Sequence, residues 1–340
     1  MLNGKKVFII AEAGVNHNGK LKLAYKLVDK AKEAGVDAVK FQTFNPKKLV
    51  SKMAKMATYQ KKNIGKEKTQ QEMLSELSLK KEDFLKIKDY CDKNGIMFLS
   101  TPFDEDSADF LEPLVPYFKI GSGEITNLPF LRHIASKRKP IILSTGMSYL
   151  GEVETAVNTI KAVDNEIELY LLHCTTNYPC PINEVNLKAM HTLREAFKLP
   201  IGYSDHTQGI EVPIAAVAMG AQIIEKHFTL DNTMEGPDHK ASLEPEELKE
   251  MALKIRNIEL ALGDGIKKPN ESEIKIKQVA RKVLVINRNL EKDDEIKRAY
   301  IEIKRAGKGI SPYDLEKVIG RRLVKKIDED EPLTWDHLMR

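Results

Sequence analysis

Gly202-Tyr203-Ser204-Asp205-His206-Thr207 and Glu225-Lys226-His227-Phe228-Thr229 carry the reading of this chain. Leu199-Pro200-Ile201 feeds the first stretch and Ala221-Gln222-Ile223-Ile224 feeds the second. Apolar residues followed by polar, metal-capable ones are the pattern of a buried strand that delivers chemistry at its C-terminal end. Neighbouring strands lie about 5 Å apart. On two neighbouring strands, His206 and His227 can hold one divalent ion and leave positions open for substrate and water. The plain alternative is a pair of hydrogen-bonded structural histidines.

Outward from these stretches, a short apolar run followed by an amphipathic stretch recurs along the chain. Strands are predicted at Val7–Ala11, Val36–Phe41, Ile96–Ser100, Tyr117–Ile120, Pro140–Leu143, Ile167–Leu172, Leu199–Ile201 and Gln222–Lys226. Ala24, Leu27, Val28 and Ala31 have helical spacing after the first strand. Phe84, Ile87 and Cys91 have it before the third, where Asn94-Gly95 closes the helix. The stretch Ile210–Met219 is apolar almost all round and should be well buried. The last helix of the series starts near Pro245, carries Leu248, Met251, Ala252, Ile255, Ile258 and Leu262, and stops at Gly263. The lysine-rich passage from Lys47 to Lys68 reads as a solvated loop. Eight such units over about 260 residues predict a (β/α)8 TIM barrel. A doubly wound sheet is the runner-up, disfavoured because no GxGxxG turn is present.

Barrel enzymes carry their sites at the C-terminal ends of the strands, and the polar motifs follow that rule. Glu12 follows the first strand, Lys40 and Gln42 end the second, and Thr101 ends the third. Ser122 and Glu124 follow the fourth, and Ser144-Thr145 end the fifth. His173, Thr175, Thr176 and Tyr178 end the sixth, Ser204 to His206 the seventh, and Lys226 and His227 the eighth. Eight polar strand ends on one side favour the metal reading of the two histidines.

Residues 264–280 are polar and read as a linker after a barrel of residues 1–263. From Arg281 the pattern changes to short strands at Val283–Ile286, Tyr300–Ile303 and Leu323–Ile327, with a helix at Tyr313–Ile319. Residues 281–340 are therefore expected to be a small α+β domain. Its size is near the lower limit for a self-sufficient core, so it is expected to lean on the barrel or on another subunit.

Composition bounds the rest. A length of 340 residues suggests about two domains. The net charge of +4 is too small to imply nucleic acid, and it suits a small anionic substrate. No apolar run approaches the length of a membrane span, and the N-terminal run is too short for a secretory signal. Cys91, Cys174 and Cys180 form neither a CxxC nor an even framework. Free thiols and a cytoplasmic location are expected.

Lysines and hydroxyls converging on a barrel mouth suggest a phosphorylated anion. Lys40 and Lys119 supply charge, while Thr101, Ser122 and Ser204 supply donors. Lys40 as the Schiff-base lysine of an aldolase is the alternative. Glu124, in Gly121-Ser122-Gly123-Glu124, is the candidate acid or base; a buried carboxylate paired to a lysine is the competing reading.

With these residues assembled, the chain resembles the sialic acid synthase family. The resemblance rests on Ala11-Glu12-Ala13-Gly14-Val15-Asn16-His17-Asn18-Gly19, Val39-Lys40-Phe41-Gln42-Thr43, Ser100-Thr101-Pro102-Phe103-Asp104 and Lys119-Ile120-Gly121-Ser122-Gly123-Glu124. It continues through Leu143-Ser144-Thr145-Gly146-Met147, His173-Cys174-Thr175, the two opening stretches and Gly236-Pro237-Asp238-His239. The tail from Lys304 to Ser311 looks like the antifreeze-like (SAF) domain that these synthases carry.

The resemblance implies a transferase that condenses phosphoenolpyruvate with N-acetylmannosamine in its open-chain aldehyde form. The products are then N-acetylneuraminic acid and phosphate. Synthases of legionaminic acid, pseudaminic acid or a 9-phosphate are the alternative, and a non-catalytic binding protein is a further one. It implies a divalent metal on His206 and His227, manganese first, with magnesium or cobalt as substitutes. Lys40, Thr101, Lys119, Ser122, Thr176 and Ser204 match positions that hold phosphoenolpyruvate. Glu12, Gln42, Tyr178 and Asp238 match positions near the sugar. Arg305 matches an arginine that reaches the partner's barrel in a domain-swapped homodimer. Two positions depart from the pattern: Thr176 stands where some relatives have Asn, and Ala306 stands where the tail motif has Pro.

Overall fold

The computed structural model describes residues 6–51, 53–54 and 69–339. The chain divides into two compact units, residues 1–263 and 264–340.

The first unit is built on eight parallel strands: β1 (Phe8–Gly14), β2 (Ala38–Thr43), β3 (Met97–Pro102), β4 (Phe118–Ile120), β5 (Ile141–Ser144), β6 (Leu169–Cys174), β7 (Ile201–Asp205) and β8 (Ile223–His227). Their order is β3-β2-β1-β8-β7-β6-β5-β4, with the first strand paired to the eighth. That is the circular order of a barrel, and the ladder is interrupted between β3 and β4. Helices follow the strands as expected, among them Leu21–Glu33, Lys81–Asn94, Leu150–Val163 and Pro245–Leu262. Gly95 ends the second of these in the left-handed region, with φ of 63°, where a residue without Cβ is least strained. Among the described residues no helix is long and apolar enough to cross a membrane.

Alternation along the strands places the site. Phe8, Ile10, Ala38, Leu99, Ile142, Tyr170, Leu172 and Ile223 form an apolar cluster inside the barrel. Ile9, Ala11, Val39, Phe41, Leu143, Leu171 and Ile224 belong to the separate core under the helices. Two residues further along, the inward columns turn polar: Ile10 leads to Glu12, Ala38 to Lys40, Leu99 to Thr101, Ile142 to Ser144 and Ile223 to Glu225. The period of two thus puts a dry apolar plug below and a polar floor above. Gly202 belongs to this packing, since a Cβ there would meet Ile223 O and Leu172 Cδ2 at 2.5 Å.

Most strands run further toward their C-terminal ends than the apolar runs suggest. β1 extends to Gly14 rather than Ala11, and β7 occupies Ile201–Asp205 rather than Leu199–Ile201. Glu12, Lys40, Gln42, Thr101, Lys119, Ser144, Ser204 and His227 are therefore held on the ladders themselves, which fixes their backbone more tightly than a loop does.

Of the passage from Lys47 to Lys68, residues 47–51 and 53–54 are described. Pro46–Leu49 is a short helix capped by Asn45, whose side chain accepts from the N–H of Lys47. Residues 52 and 55–68 lie outside the described residues. An unexpected helix at Gln70–Leu77 begins with a Thr69–Glu72 capping box. Its Met73, Leu74 and Leu77 cluster with Val15 and Phe44, and Phe103 packs against them.

In the second unit, β9 (Val283–Ile286) pairs antiparallel with β10 (Ile301–Lys304) over a core of Leu284, Ile286, Leu290, Ile296, Ile310, Val318, Leu323, Ile327, Leu333 and Leu338. One expectation is corrected here. The stretch Leu323–Ile327 makes isolated bridges, Leu290 with Ile327 and Leu323 with Leu338, instead of a strand. The linker contains a helix, Glu271–Ala280, started by an Asn270–Glu273 capping box. At about 1.5 Å of rise per residue, that helix shortens the reach that an extended linker would have.

Candidate active site at the barrel mouth

The inward columns converge on a cavity of about 160 Å³ lined by Glu12, Lys40, Gln42, Thr101, Phe103, Lys119, Ser122, Ser144, Cys174, Thr176, Tyr178, Ser204, His206, Glu225 and His227, with Gly121 and Gly123. Of the fourteen residues singled out in the sequence, eleven meet here: Glu12, Lys40, Gln42, Thr101, Lys119, Ser122, Thr176, Tyr178, Ser204, His206 and His227.

Two buried ammonium groups and two buried carboxylates organise the floor. Lys40 Nζ lies 2.6 Å from Glu12 Oε2 and 3.7 Å from Glu225 Oε2, and it donates to Thr101 Oγ1 at 2.9 Å. Lys119 Nζ donates to Ser144 Oγ at 2.7 Å and lies 3.5 Å from Glu225 Oε1. Ser204 donates to Glu225 Oε1 at 2.9 Å, and Gln42 Nε2 donates to Glu12 Oε1 at 3.0 Å.

Burial alone would push Glu225 upward, but Lys119 and Lys40 outweigh it and hold its carboxyl at about 2. Burial lifts Glu12 above the ordinary carboxyl range against the pull of Lys40. Burial would lower Lys40, yet Glu12 and Glu225 raise it, so it stays an ammonium. Lys119 is lowered by burial.

Glu225 is the site residue that the sequence reading left without a role. It shares an inward column with His227, and β-pairing sets it opposite Ser204. That alternation was its signal. Phe103 and Cys174 also line the cavity; the Cys174 thiol is raised by burial and exchanges a contact of 3.1 Å with Ser122 Oγ.

The imidazoles of His206 and His227 face each other with centroids 5.5 Å apart. Tyr178 lies over His206 at 4.2 Å and meets His227 edge-on at 5.6 Å. Burial keeps both histidines below their ordinary value, His227 well below it, so both rings are neutral and able to ligate. His206 Nδ1 donates to Thr175 O at 2.7 Å, which leaves its Nε2 lone pair unprotonated. His227 Nδ1 is buried without a hydrogen-bond partner. Among the described residues no three His, Cys, Asp or Glu side chains group around one ion. With His206 Nε2 unprotonated and His227 Nδ1 unpartnered, these two rings are the residues that would hold an ion.

Three residues fall elsewhere. Glu124 does not line the cavity; it sits on the turn Ser122–Glu124, where its carboxylate accepts from Asn127 Nδ2 at 2.7 Å. The carboxylates that line the cavity are Glu12 and Glu225. Asp238 is buried outside the lining, its carboxyl pushed up to about 7 by burial and then by Glu12. Arg305 belongs to the second unit and is exposed after β10.

A family model described as the NeuB family matches residues 27–267. The chain belongs to the NeuB family. A SAF domain model matches residues 281–339, so the resemblance read from the motifs holds across both units. This NeuB-family chain is 50% identical over 335 residues to N,N'-diacetyllegionaminic acid synthase of Legionella pneumophila, covering 97% of this chain and 94% of that protein. It is 51% identical over 329 residues to the synthase of the same name from Campylobacter jejuni, covering 96% and 98%. Among solved structures, N-acetylneuraminic acid synthetase from Leptospira borgpetersenii in complex with citrate superposes with a TM-score of 0.71 at 37% identity, covering 82% of this chain and 93% of that one.

Proposed function

We propose that this chain is a nonulosonic acid synthase that condenses phosphoenolpyruvate with an N-acylated amino-sugar aldehyde. C3 of phosphoenolpyruvate bonds to the aldehyde carbon, water adds at C2, and the C2–O bond to phosphate breaks. The products are a nine-carbon 2-keto acid and phosphate. The acceptor is a diacetamido deoxyhexose and the product N,N'-diacetyllegionaminic acid. The identity of 50% and 51% to two synthases of that name, against 37% to an N-acetylneuraminic acid synthetase, carries this choice. N-Acetylneuraminate, the first choice on motifs alone, gives way to it, because motifs common to all these synthases do not separate the acceptors.

Two buried ammonium groups beside converging hydroxyls support the phosphoenolpyruvate half of the reading. Lys40 and Lys119 neutralise the anion; Thr101, Ser122, Thr176 and Ser204 orient it. Glu12, Gln42, Tyr178 and Asp238 take the acceptor side. His206 and His227 would hold a divalent ion, manganese first, which when bound supplies Lewis-acid polarisation of a carbonyl oxygen. A homodimer in which Arg305 of one chain serves the barrel of the other completes the proposal. Three buried free cysteines are compatible with a cytoplasmic enzyme.

The test is phosphate release from phosphoenolpyruvate with a panel of acceptors: a diacetamido deoxyhexose, N-acetylmannosamine and its 6-phosphate. The diacetamido sugar should give the highest kcat/KM. Preference for N-acetylmannosamine would return the reading to N-acetylneuraminate, and turnover with none of them would reject the synthase.

A further inference from the structure

Asp205 and Lys226 are Cα partners across β7 and β8, and each directly precedes one of the two histidines. Side chains alternate along a strand. While His206 and His227 face the cavity, Asp205 and Lys226 face the helix layer. Both side chains are wholly withdrawn from solvent, with Lys226 Nζ 2.5 Å from Asp205 Oδ2. The same ammonium donates to the carbonyl oxygen of Thr207. Thr207 closes the loop: its backbone N–H donates to Asp205 Oδ1 at 3.1 Å and its hydroxyl does so at 2.9 Å.

An ion pair is an unusual element for this layer. Its neighbours Tyr203, Ile224 and Phe228 belong to the apolar core under the helices. Cohesion alone does not require it, because well-packed apolar residues of similar volume often serve as well as a buried pair. What two fully desolvated charges add is position, since any slip of one strand tip separates them where no water can compensate. The rest of the surroundings converge on the same end. The His206 carbonyl accepts from the Cys180 N–H at 2.8 Å, and its ring is held on Thr175 O.

We propose that Asp205 and Lys226 are positioning residues whose ion pair sets the spacing and facing of the His206 and His227 imidazoles for a divalent ion. This rests on the reading of those histidines as metal ligands. The ion pair locks the two strand tips one residue before each ligand, and Thr207 locks the residue after one of them. Groups that orient metal ligands from outside the coordination sphere are worth about 10- to 100-fold in metal affinity.

The experiment titrates the full-length protein with Mn2+ and reads free Mn2+ by electron paramagnetic resonance. Two variants are compared with the wild type: D205N, which keeps the volume, and the apolar pair D205L/K226M, which leaves no unpaired buried charge. Thermal melts establish that each is folded. Both should bind Mn2+ at least about tenfold more weakly than the wild type. Wild-type affinity in either folded variant overturns the inference and leaves the pair a structural one. Failure of the wild type itself to bind Mn2+ is a separate result, which removes the metal reading and this inference with it.

Discussion

The ammonium of Lys40 lies 2.6 Å from the carboxylate of Glu12, and both side chains are almost completely buried. A lysine held this way keeps its proton, and a protonated amine cannot attack a carbonyl. Borohydride added during turnover should therefore trap no covalent adduct on Lys40. A trapped adduct would move the enzyme to the lysine-aldolase class. Removing the charge in K40M should lower kcat/KM for phosphoenolpyruvate on the order of a hundredfold.

Asp238 makes stability depend on pH. Its folded-state carboxyl is pushed up to about 7 by burial and Glu12, against about 3.9 in an unfolded chain. Between those values the native state binds more protons than the unfolded state. Stability therefore falls as pH rises through that window and stays reduced above it. D238N removes the effect. Its melting temperature should exceed that of the wild type by several degrees at pH 8, and the two should converge near pH 4. Equal melting temperatures at pH 8 would contradict the raised carboxyl.

At Gly146 an added Cβ would meet Thr176 Oγ1 at 2.3 Å, Cys174 Sγ at 2.8 Å and Ser122 Oγ at 2.9 Å. All three side chains line the cavity. G146A should therefore cost about 1–3 kcal/mol in denaturant unfolding. It should also raise the KM for phosphoenolpyruvate more than that for the acceptor. An increase confined to the acceptor would place the phosphoenolpyruvate site elsewhere.

Paired neutral imidazoles predict metal dependence. Chelator should abolish phosphate release and manganese should restore it in the wild type, whereas H206A/H227A should stay inactive with manganese present. Full activity of that double variant in chelator would end the metal proposal.

The proposed sharing of Arg305 between subunits can be tested by complementation. R305A and K40A subunits are each expected to be inactive. Mixed, they should regain some phosphate release, because one of the two sites in a mixed dimer has both residues. No recovery, with mixed dimers demonstrated by mass, would show that each chain serves its own barrel.

The barrel was legible because its apolar runs are short and regularly spaced, and each ends in a polar motif. The helix Gln70–Leu77 is faint in the sequence because only Met73, Leu74 and Leu77 mark its apolar face. The helix Glu271–Ala280 buries no residue, so it has no apolar periodicity to read; its Asn270–Glu273 capping box was the available signal. Eleven cavity residues could be named from motifs, yet Glu225 could not be given a role until pairing set it opposite Ser204. Glu124 lies four residues beyond the β4 end at Ile120, so strand alternation does not fix the direction of its side chain.

Glu12 and Glu225 also bear on how a turnover ends. Lys40 and Lys119 are already answered by these carboxylates before any ligand arrives. An incoming anion must share the lysines with partners that never leave, so its capture is weaker than two buried cations alone would make it. On the proposed function the same competition would act on released phosphate, the carboxylates would reclaim the lysines as it departs, and inhibition by that product would be weak.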